Sequence, residues 1–237
     1  MSKREILDKD TDLQNRKKKR LKKFIYWLAI DLSVAAIVFS LLLYKPGRYN
    51  PDPIDSDEVS PYLTQLSSEI YNKSQFGRPF DIVITQEALN DIINRAGWPI
   101  ESEGVLLYAP AAIINPEAVV LMGTADFQGV EFIITIELNA IINEDGLMKT
   151  DVSKVKVGAV NITPLAKITA KKMYAQKLEE IGDYDVYTWQ SRIIASLLNG
   201  DTIEPVFEIE KNGVKAIKIK KLIIEQGKLT VNLAPLR

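Results

Sequence analysis

The chemistry open to this chain is that of carboxylate, lysine, tyrosine and hydroxyl side chains, because its 237 residues include no histidine and no cysteine. The missing residue types exclude histidine-dependent bases and triads, thiolate nucleophiles, disulfides and the commonest zinc and iron ligands. Carboxylates remain the main candidates for catalysis. They cluster at Glu144-Asp145, at Glu179-Glu180 with Asp183 and Asp185, and in the acidic segment before residue 60.

These acidic clusters have the sequence context of solvated surface. All of them fall at predicted loops or helix ends, and none is embedded in an apolar stretch that would separate the pKa values of two carboxyl groups. The chain also has no glycine-rich phosphate loop, no nucleophile elbow and no calcium-loop spacing. A carboxylate-only enzyme is the alternative, but we expect a non-catalytic protein with no metal and no cofactor.

Charge is distributed unevenly along the chain. Residues 1–23 carry ten Lys or Arg and four Asp or Glu, a net charge of +6, whereas residues 45–237 carry 20 basic and 26 acidic residues, a net charge of −6. A globular part with this balance lacks the basic surface that polyanions bind. We therefore expect no nucleic-acid partner, and the basic N-terminus needs another explanation.

A membrane anchor provides that explanation. Residues 24–44 contain one charged residue, Asp31, and a helix of this length spans a hydrocarbon core of about 30 Å. The basic residues precede the stretch, so the positive-inside rule predicts a cytoplasmic N-terminus. A cleaved signal peptide is the competing interpretation, but Leu43-Tyr44-Lys45-Pro46 offers no small-residue cleavage site.

The resulting prediction is a single-pass protein of the cell membrane. It comprises a basic cytoplasmic tail (1–23), a transmembrane helix (24–44), a Pro-rich and acidic extended linker (45–60) and an extracytoplasmic domain (61–237).

The predicted transmembrane helix carries features that a partner helix could use. A carboxylate inside the span is costly unless it reaches headgroup water or a partner, and small residues recur at helical spacing along one stripe. Either Asp31 reaches water and the stripe is accidental, or the helix packs against a second copy or another membrane protein. The helix-packing candidates are Ala29, Asp31, Ser33, Ala36 and Ser40.

The predicted domain alternates helices and long strands. Ser60-Pro61 and Thr85 have the residue types of helix N-termini, and Thr163-Pro164 opens a further helical stretch. Apolar residues alternate with polar ones in long runs from 104 to 160 and again from 203 to 234, with short turns that imply antiparallel neighbours. The pattern predicts an α+β domain with a long curved antiparallel sheet packed on helices, one sheet face being buried and the other wet.

Residues 80–235 resemble a known class of anchored proteins. The strand VSKVKVGAVNI runs into Pro164 and a helix, after Gly123 and the apolar alternation from Phe132 to Ile142, and before Glu204-Pro205 and LTVNL. This order of elements behind one N-terminal anchor resembles the YpmS-like membrane-anchored envelope proteins of bacteria. It is more remotely similar to the tubular lipid-binding (TULIP-like) architecture, in which a coiled sheet wraps a helix around an apolar groove.

The resemblance implies that membrane lipid, or a lipid-like envelope component, binds in an apolar groove between sheet and helix. The same residues could equally form an ordinary core, and Trp98 and Trp189 are expected to pack rather than to hold a ligand. The alternative hypothesis is a structural or assembly subunit of a membrane protein complex without a small-molecule ligand. The groove-wall candidates are Val119, Leu121, Phe132, Ile134, Ile136 and Leu138.

Overall fold

The structure is a computed structural model that describes residues 3–51, 58–181, 189–211 and 214–236, with side chains for 20–51, 58–175, 191–208 and 216–236. The chain divides into two compact units, Met1–Leu42 and Leu43–Arg237. Asp183 and Asp185 lie outside the described residues.

The first unit is a single helix, α1 (Lys3–Leu42). Its segment Arg20–Leu42, 23 residues long, is apolar enough to cross a membrane, and none of its most apolar stretch is buried. The prediction of one N-terminal helix of membrane-spanning length is therefore confirmed. The helix begins far upstream of residue 24, so the basic tail is helical as well from Lys3 onward.

The second unit has the predicted α+β class, with helices packed on antiparallel sheets. Its helices are α2 (Pro61–Ser74), α3 (Gln86–Asn94), α4 (Thr163–Ile181) and α5 (Trp189–Asn199). Its strands are β1 (Phe80–Thr85), β2 (Ile100–Ser102), β3 (Val105–Asn115), β4 (Ala118–Phe127), β5 (Val130–Ile142), β6 (Met148–Val157), β7 (Val160–Asn161), β8 (Thr202–Ile203), β9 (Val206–Lys211), β10 (Val214–Glu225) and β11 (Lys228–Leu236).

The strands form two sheets. The larger sheet has the order β2-β3-β4-β5-β6-β7, with β8 also paired to β6, and the smaller has the order β1-β11-β10-β9. The division arises because β1, near the start of the domain, pairs with the last strand: Ile82 lies opposite Val231. The core of the smaller sheet contains Ile82, Ile217, Val231 and Leu233, with Leu66 and Ile70 of α2 packed against it.

The helix starts follow the local sequence. The hydroxyl of Ser60 accepts a hydrogen bond from the amide of Leu63, at 3.1 Å, and Pro61 occupies the first turn of α2. The hydroxyl of Thr85 accepts a hydrogen bond from the amide of Ala88, at 3.2 Å, at the start of α3. Each cap satisfies a donor that the helix itself leaves unpaired. Both predicted starts are confirmed.

Two ends of the predicted linker pack onto the domain. Tyr49 is 5% exposed and forms a core cluster with Ala111, Met122 and Ile133, all on one face of the larger sheet. Ser60 is 2% exposed. The alternation of apolar and polar residues predicted that the sheet face opposite the candidate groove wall is exposed to solvent. In the structure this face is partly covered, because Tyr49, which is distant in sequence, packs on it.

Candidate functional site

An apolar cavity of about 250 Å³ opens on the face of the larger sheet opposite Tyr49. Its wall is built by the β4–β5 register, which places Leu121 opposite Ile136 and Gly123 opposite Ile134. Directly opposed residues of antiparallel strands project their side chains to the same face. We call this cavity the apolar groove; its lining residues are Ile93, Trp98, Leu107, Tyr108, Pro110, Ala111, Leu121, Met122, Gly123, Thr124, Ile134 and Ile136.

Gly123 gives the groove its depth. It is the one residue in its row of the sheet without a side chain, and a Cβ atom added there would meet only the carbonyl oxygen of Tyr108, at 3.7 Å. That distance is an ordinary van der Waals contact, so the backbone would accept a side chain. The space beside Leu121 and Ile134 therefore exists because residue 123 is glycine.

Trp98 and α3 close one side of the groove. The end of α3 is followed by Gly97, whose φ of 77° turns the chain so that Trp98 reaches back toward the helix. The indole Nε1 of Trp98 donates a hydrogen bond to the carbonyl oxygen of Ile93, at 2.6 Å. This bond satisfies the polar atom of the indole and leaves its apolar surface beside the groove.

An irregular stretch of β3 forms the floor. Its pairing with β4 shifts register between Tyr108 and Ala111, Ala109 has a φ of 50°, and Pro110 lines the groove. A bulge bends a strand and re-aims its side chains. The floor of the groove is consequently curved where β3 crosses it.

The Tyr108 side chain belongs to the Tyr49 face of the sheet, because Tyr108 pairs with Thr124, whose hydroxyl contacts Tyr49. The Tyr108 hydroxyl donates a hydrogen bond to the Glu131 carboxylate, and that bond, with burial and the negative charges of Glu131 and Asp126, raises the pKa of Tyr108 to about 12. The phenol remains protonated at physiological pH. Among the described residues that line the groove there is no Asp, Glu, Lys or Arg, so the groove presents no charged side chain to a ligand.

The six predicted wall residues share one face of the sheet. Leu121, Ile134 and Ile136 line the cavity itself. Val119 pairs with Leu138 at one end of the row, and Phe132 lies opposite Ala125 at the other end, so these residues extend the same face without lining the cavity. All six are half-buried rather than enclosed. The row is accessible from solvent along its length.

Three important residues were not predicted as part of the site. Trp98 was expected to pack in the core or at its rim rather than to hold a ligand, and neither Ile93 nor Gly123 was proposed as a lining residue. The available signal was a glycine within the apolar face of a strand, which often marks a close approach or a space. The contact between Ile93, Trp98 and the sheet joins elements distant in sequence and has no local signal.

A second apolar cavity, of about 190 Å³, lies on the smaller sheet beside Ile70 of α2. Four of its lining residues form the buried core of that sheet and are only 2–9% exposed: Ile82, Ile217, Val231 and Leu233. Since these residues are enclosed and the groove wall is half-exposed, the apolar groove on the larger sheet is the better candidate for ligand entry.

Comparison with protein-family profiles, curated proteins and solved structures gives no match. The resemblance to YpmS-like and TULIP-like proteins therefore stays a prediction.

Metal-assisted chemistry receives no support from the described residues. Within them, no group of three or more Asp, Glu, His or Cys residues is placed to hold a metal ion. The pair Glu144-Asp145 lies in the turn between β5 and β6, as predicted. The side chains of Glu179 and Glu180 are outside the part of the chain whose side chains are described.

The small-residue stripe of α1 is helical, as its spacing predicted. The hydroxyl of Ser33 donates to the carbonyl oxygen of Ala29, and that of Ser40 to the carbonyl oxygen of Ala36, each at 2.8 Å. The two serine donors are thus satisfied within the helix, which suits an apolar surrounding. Asp31 lies in the same helical segment, and packing of this stripe against another helix stays a prediction.

Proposed function

We propose that this protein binds lipid acyl chains, or lipid-like apolar chains, in the groove of its folded domain while α1 anchors it in a membrane. The observation that carries the proposal is the groove itself: an open apolar cavity of about 250 Å³ whose wall includes Leu121, Ile134 and Ile136. Transfer of apolar surface from water onto such a wall is favourable, so the groove suits an apolar ligand.

The energetics favour an acyl chain over a polar ligand. Each methylene transferred from water into such a site contributes about 0.8 kcal/mol, and the groove offers no charge to attract a headgroup. The cavity accommodates a segment of a chain, and the half-buried row from Val119 to Leu138 offers further apolar surface beside it. Binding therefore depends on chain length more than on headgroup chemistry.

The proposed orientation follows from charge. The basic residues precede Arg20–Leu42, so the positive-inside rule favours a cytoplasmic N-terminus and an extracytoplasmic domain. In this arrangement the groove belongs to a domain tethered at a membrane surface, where acyl chains are abundant. The proposed function is non-catalytic and concerns the binding of lipid.

Filling the groove provides the test. The full chain would be purified from cell membranes, washed in detergent and extracted with organic solvent, and the lipid retained per chain would be measured by mass spectrometry. Gly123→Leu places a side chain in the groove where the backbone has room for a Cβ atom. We expect the variant to retain about one lipid molecule fewer per chain than the parent protein.

Thr135→Val is the matched control for this experiment. Thr135 lies on β5 between Ile134 and Ile136, with its side chain on the opposite face, so its replacement changes the sheet without filling the groove. Its lipid content should equal that of the parent protein. Equal lipid retention by the parent and a folded Gly123→Leu variant would contradict lipid binding in the groove.

An assembly role is the second candidate function, and exposed residues of α4 favour it. Leu165 is 63% exposed, Ile168 68% and Met173 47%, and large apolar side chains clustered on a surface often mark an interaction site. Ile168→Asp would weaken such an interface without touching the groove. If this function holds, the variant loses a protein that cross-links to the parent chain in membranes; if lipid binding alone operates, cross-linking is unchanged.

A further inference from the structure

Helix α4 carries apolar side chains on two sides. On its inner side Ala166 and Tyr174 are half-buried, and the Tyr174 hydroxyl donates a hydrogen bond to the carbonyl oxygen of Ser191 in α5, at 3.3 Å. On its outer side Leu165 is 63% exposed and Ile168 is 68% exposed. A helix that is apolar on both sides is normally covered on both, so the outer side lacks a cover within the described part of the chain.

Lysines accompany the exposed apolar side chains of α4. Lys172 shares one helix face with Leu165 and Ile168, because the three residues are spaced i, i+3 and i+7. Lys171 lies on one side of this face, and both lysine side chains are exposed. Met173, 47% exposed, lies on the other side. We call these five residues the α4 face.

The α4 face is basic in a domain that is acidic overall. Between the start of α4 and Leu178 the sequence contains four lysines and no Asp or Glu, whereas the part of the chain after the predicted span has a net charge of −6. Lys167 forms an ion pair with Asp151 of β6, at 3.1 Å. Among the described side chains, Lys171 and Lys172 form no such pair. Their charges are therefore free to attract an anionic partner.

We infer that the α4 face docks on the surface of an anionic lipid bilayer. Apolar side chains beside lysines are typical of helices that lie in a membrane interface, where the apolar groups enter the boundary between headgroups and acyl chains and the ammonium groups meet anionic headgroups. Leu165 and Ile168 supply the apolar contact, and Lys171 and Lys172 supply the charge.

This docking goes beyond the binding of an acyl chain in the apolar groove. It rests on α1 as a membrane anchor, because a tethered domain meets a bilayer surface without a search through solution. It also assigns to the bilayer a face that the assembly role would give to a protein. The two assignments differ in one respect that can be measured, namely whether the cover of the α4 face depends on the charge of the lipid.

Spin labelling of the full chain tests the docking, because the sequence has no cysteine and each introduced cysteine is unique. Ile168→Cys would carry a nitroxide in nanodiscs that hold one chain each, made of phosphatidylcholine alone or mixed with phosphatidylglycerol. Power-saturation EPR measures collisions of the nitroxide with oxygen, which enters the bilayer, and with a nickel complex, which stays in water. We expect the anionic discs to protect the label at residue 168 from nickel and to expose it to oxygen.

Val83→Cys is the control position, since Val83 is also a large apolar residue, 49% exposed, but lies on β1 of the smaller sheet. Its label should remain accessible to nickel in both discs. Lys171→Gln with Lys172→Gln should lower the ratio of docked to undocked domains about fivefold for each lysine removed. Lys220→Gln with Lys221→Gln replaces a neighbouring pair of exposed lysines on β10 and should leave docking unchanged.

Nickel accessibility at residue 168 equal to that at Val83 in the anionic discs would overturn the inference. Equal protection in neutral and anionic discs would also overturn it, because a cover that does not depend on lipid charge, such as a bound protein, would then explain the protection. Protection that persists unchanged after both Lys171 and Lys172 are replaced would have the same consequence. Lipid retention in the groove does not enter these readouts, so this inference and the lipid-binding function fail separately.

Discussion

The hydroxyl of Tyr49 lies 2.7 Å from Oγ1 of Thr124 and 2.6 Å from the carbonyl oxygen of Ala109. The tyrosine donates to the carbonyl and accepts from the threonine hydroxyl, so both buried groups on the sheet are satisfied by one side chain. The two bonds fix the segment after α1 on the sheet face opposite the apolar groove.

Removal of this hydroxyl should destabilise the domain. Tyr49→Phe leaves the apolar contacts with Met122 and Ile133 in place but leaves Thr124 and Ala109 without their partner. We expect the free energy of unfolding to fall by about 1–3 kcal/mol, measured by urea unfolding of the full chain with tryptophan fluorescence. An unchanged free energy of unfolding would show that water replaces the phenol and that the segment is not anchored by these bonds.

Alkaline pH should also weaken the attachment of Tyr49 to the sheet. Burial is the main cause that raises the pKa of Tyr49 above its ordinary value, so the folded state favours the protonated phenol. Its stabilising contribution is complete below about pH 10, the ordinary tyrosine pKa, and is lost as pH rises through the higher folded pKa. The parent protein should lose more stability than Tyr49→Phe over this alkaline range.

Acid pH should weaken the junction between α2 and α3. The Ser60 hydroxyl donates a hydrogen bond to the Asp91 carboxylate, and this bond, with the neighbouring Arg95, lowers the pKa of Asp91 despite an opposing effect of burial. The stabilisation is complete above about pH 4, near the ordinary Asp pKa, and is lost as pH falls through the lower folded pKa. Asp91→Asn should be less stable at pH 7 and should depend less on pH in acid; identical pH profiles would refute the assignment.

Asn90 should be essential to the edge of the larger sheet. Asn90→Leu keeps the approximate volume but leaves the N–H and C=O groups of Ala112 unpaired. We expect a loss of about 2–4 kcal/mol in unfolding free energy. Hydrogen exchange checks the cause, because the amide of Ala112 should exchange faster in the variant while that of Leu121 on the inner strand β4 changes only with global stability.

A single methyl group added in the groove should stabilise the domain. Gly123→Ala adds a Cβ atom in ordinary contact with Tyr108 and reduces the freedom of the unfolded chain, so we expect the free energy of unfolding to rise by about 0.4–1 kcal/mol. Ala125→Gly, in the same strand and on the same face, is the reverse substitution and should lower it. A destabilised Gly123→Ala variant would mean that residue 123 requires glycine for its backbone conformation.

Much of the local structure could be predicted from the sequence because its causes are local. Ser60 and Thr85 cap helices through bonds to residues three positions ahead, and alternation placed Leu121, Ile134 and Ile136 on one face. The separation into two sheets could not be predicted in this way. It depends on pairing of β1 with β11, and no residue near Ile82 indicates a partner near Val231.

The candidate site shows the same limit. The wall of the groove is formed by consecutive strands, so the alternation of apolar and polar residues in the sequence predicts it. Trp98 and Ile93 come to the groove through tertiary packing, which has no local signal in the sequence. Tyr49 was expected to belong to an extended linker because prolines and carboxylates surround it. Its burial depends on the shape of a sheet surface that no local pattern describes.

The most direct measurement of lipid binding in the groove is photocrosslinking of the full chain in its native membrane. Photo-leucine, incorporated in place of leucine, would be activated and lipid adducts mapped to individual peptides by mass spectrometry. Leu28 and Leu32 of α1 are the positive controls, since both lie in the segment proposed to cross the membrane. Leu63 of α2, 43% exposed, is the control for general surface labelling, because it is more exposed than half-buried Leu121. We predict lipid adducts at Leu121 as well as in α1, with none at Leu63; adducts confined to α1, or labelling of Leu63 equal to that of Leu121, would contradict lipid binding in the groove.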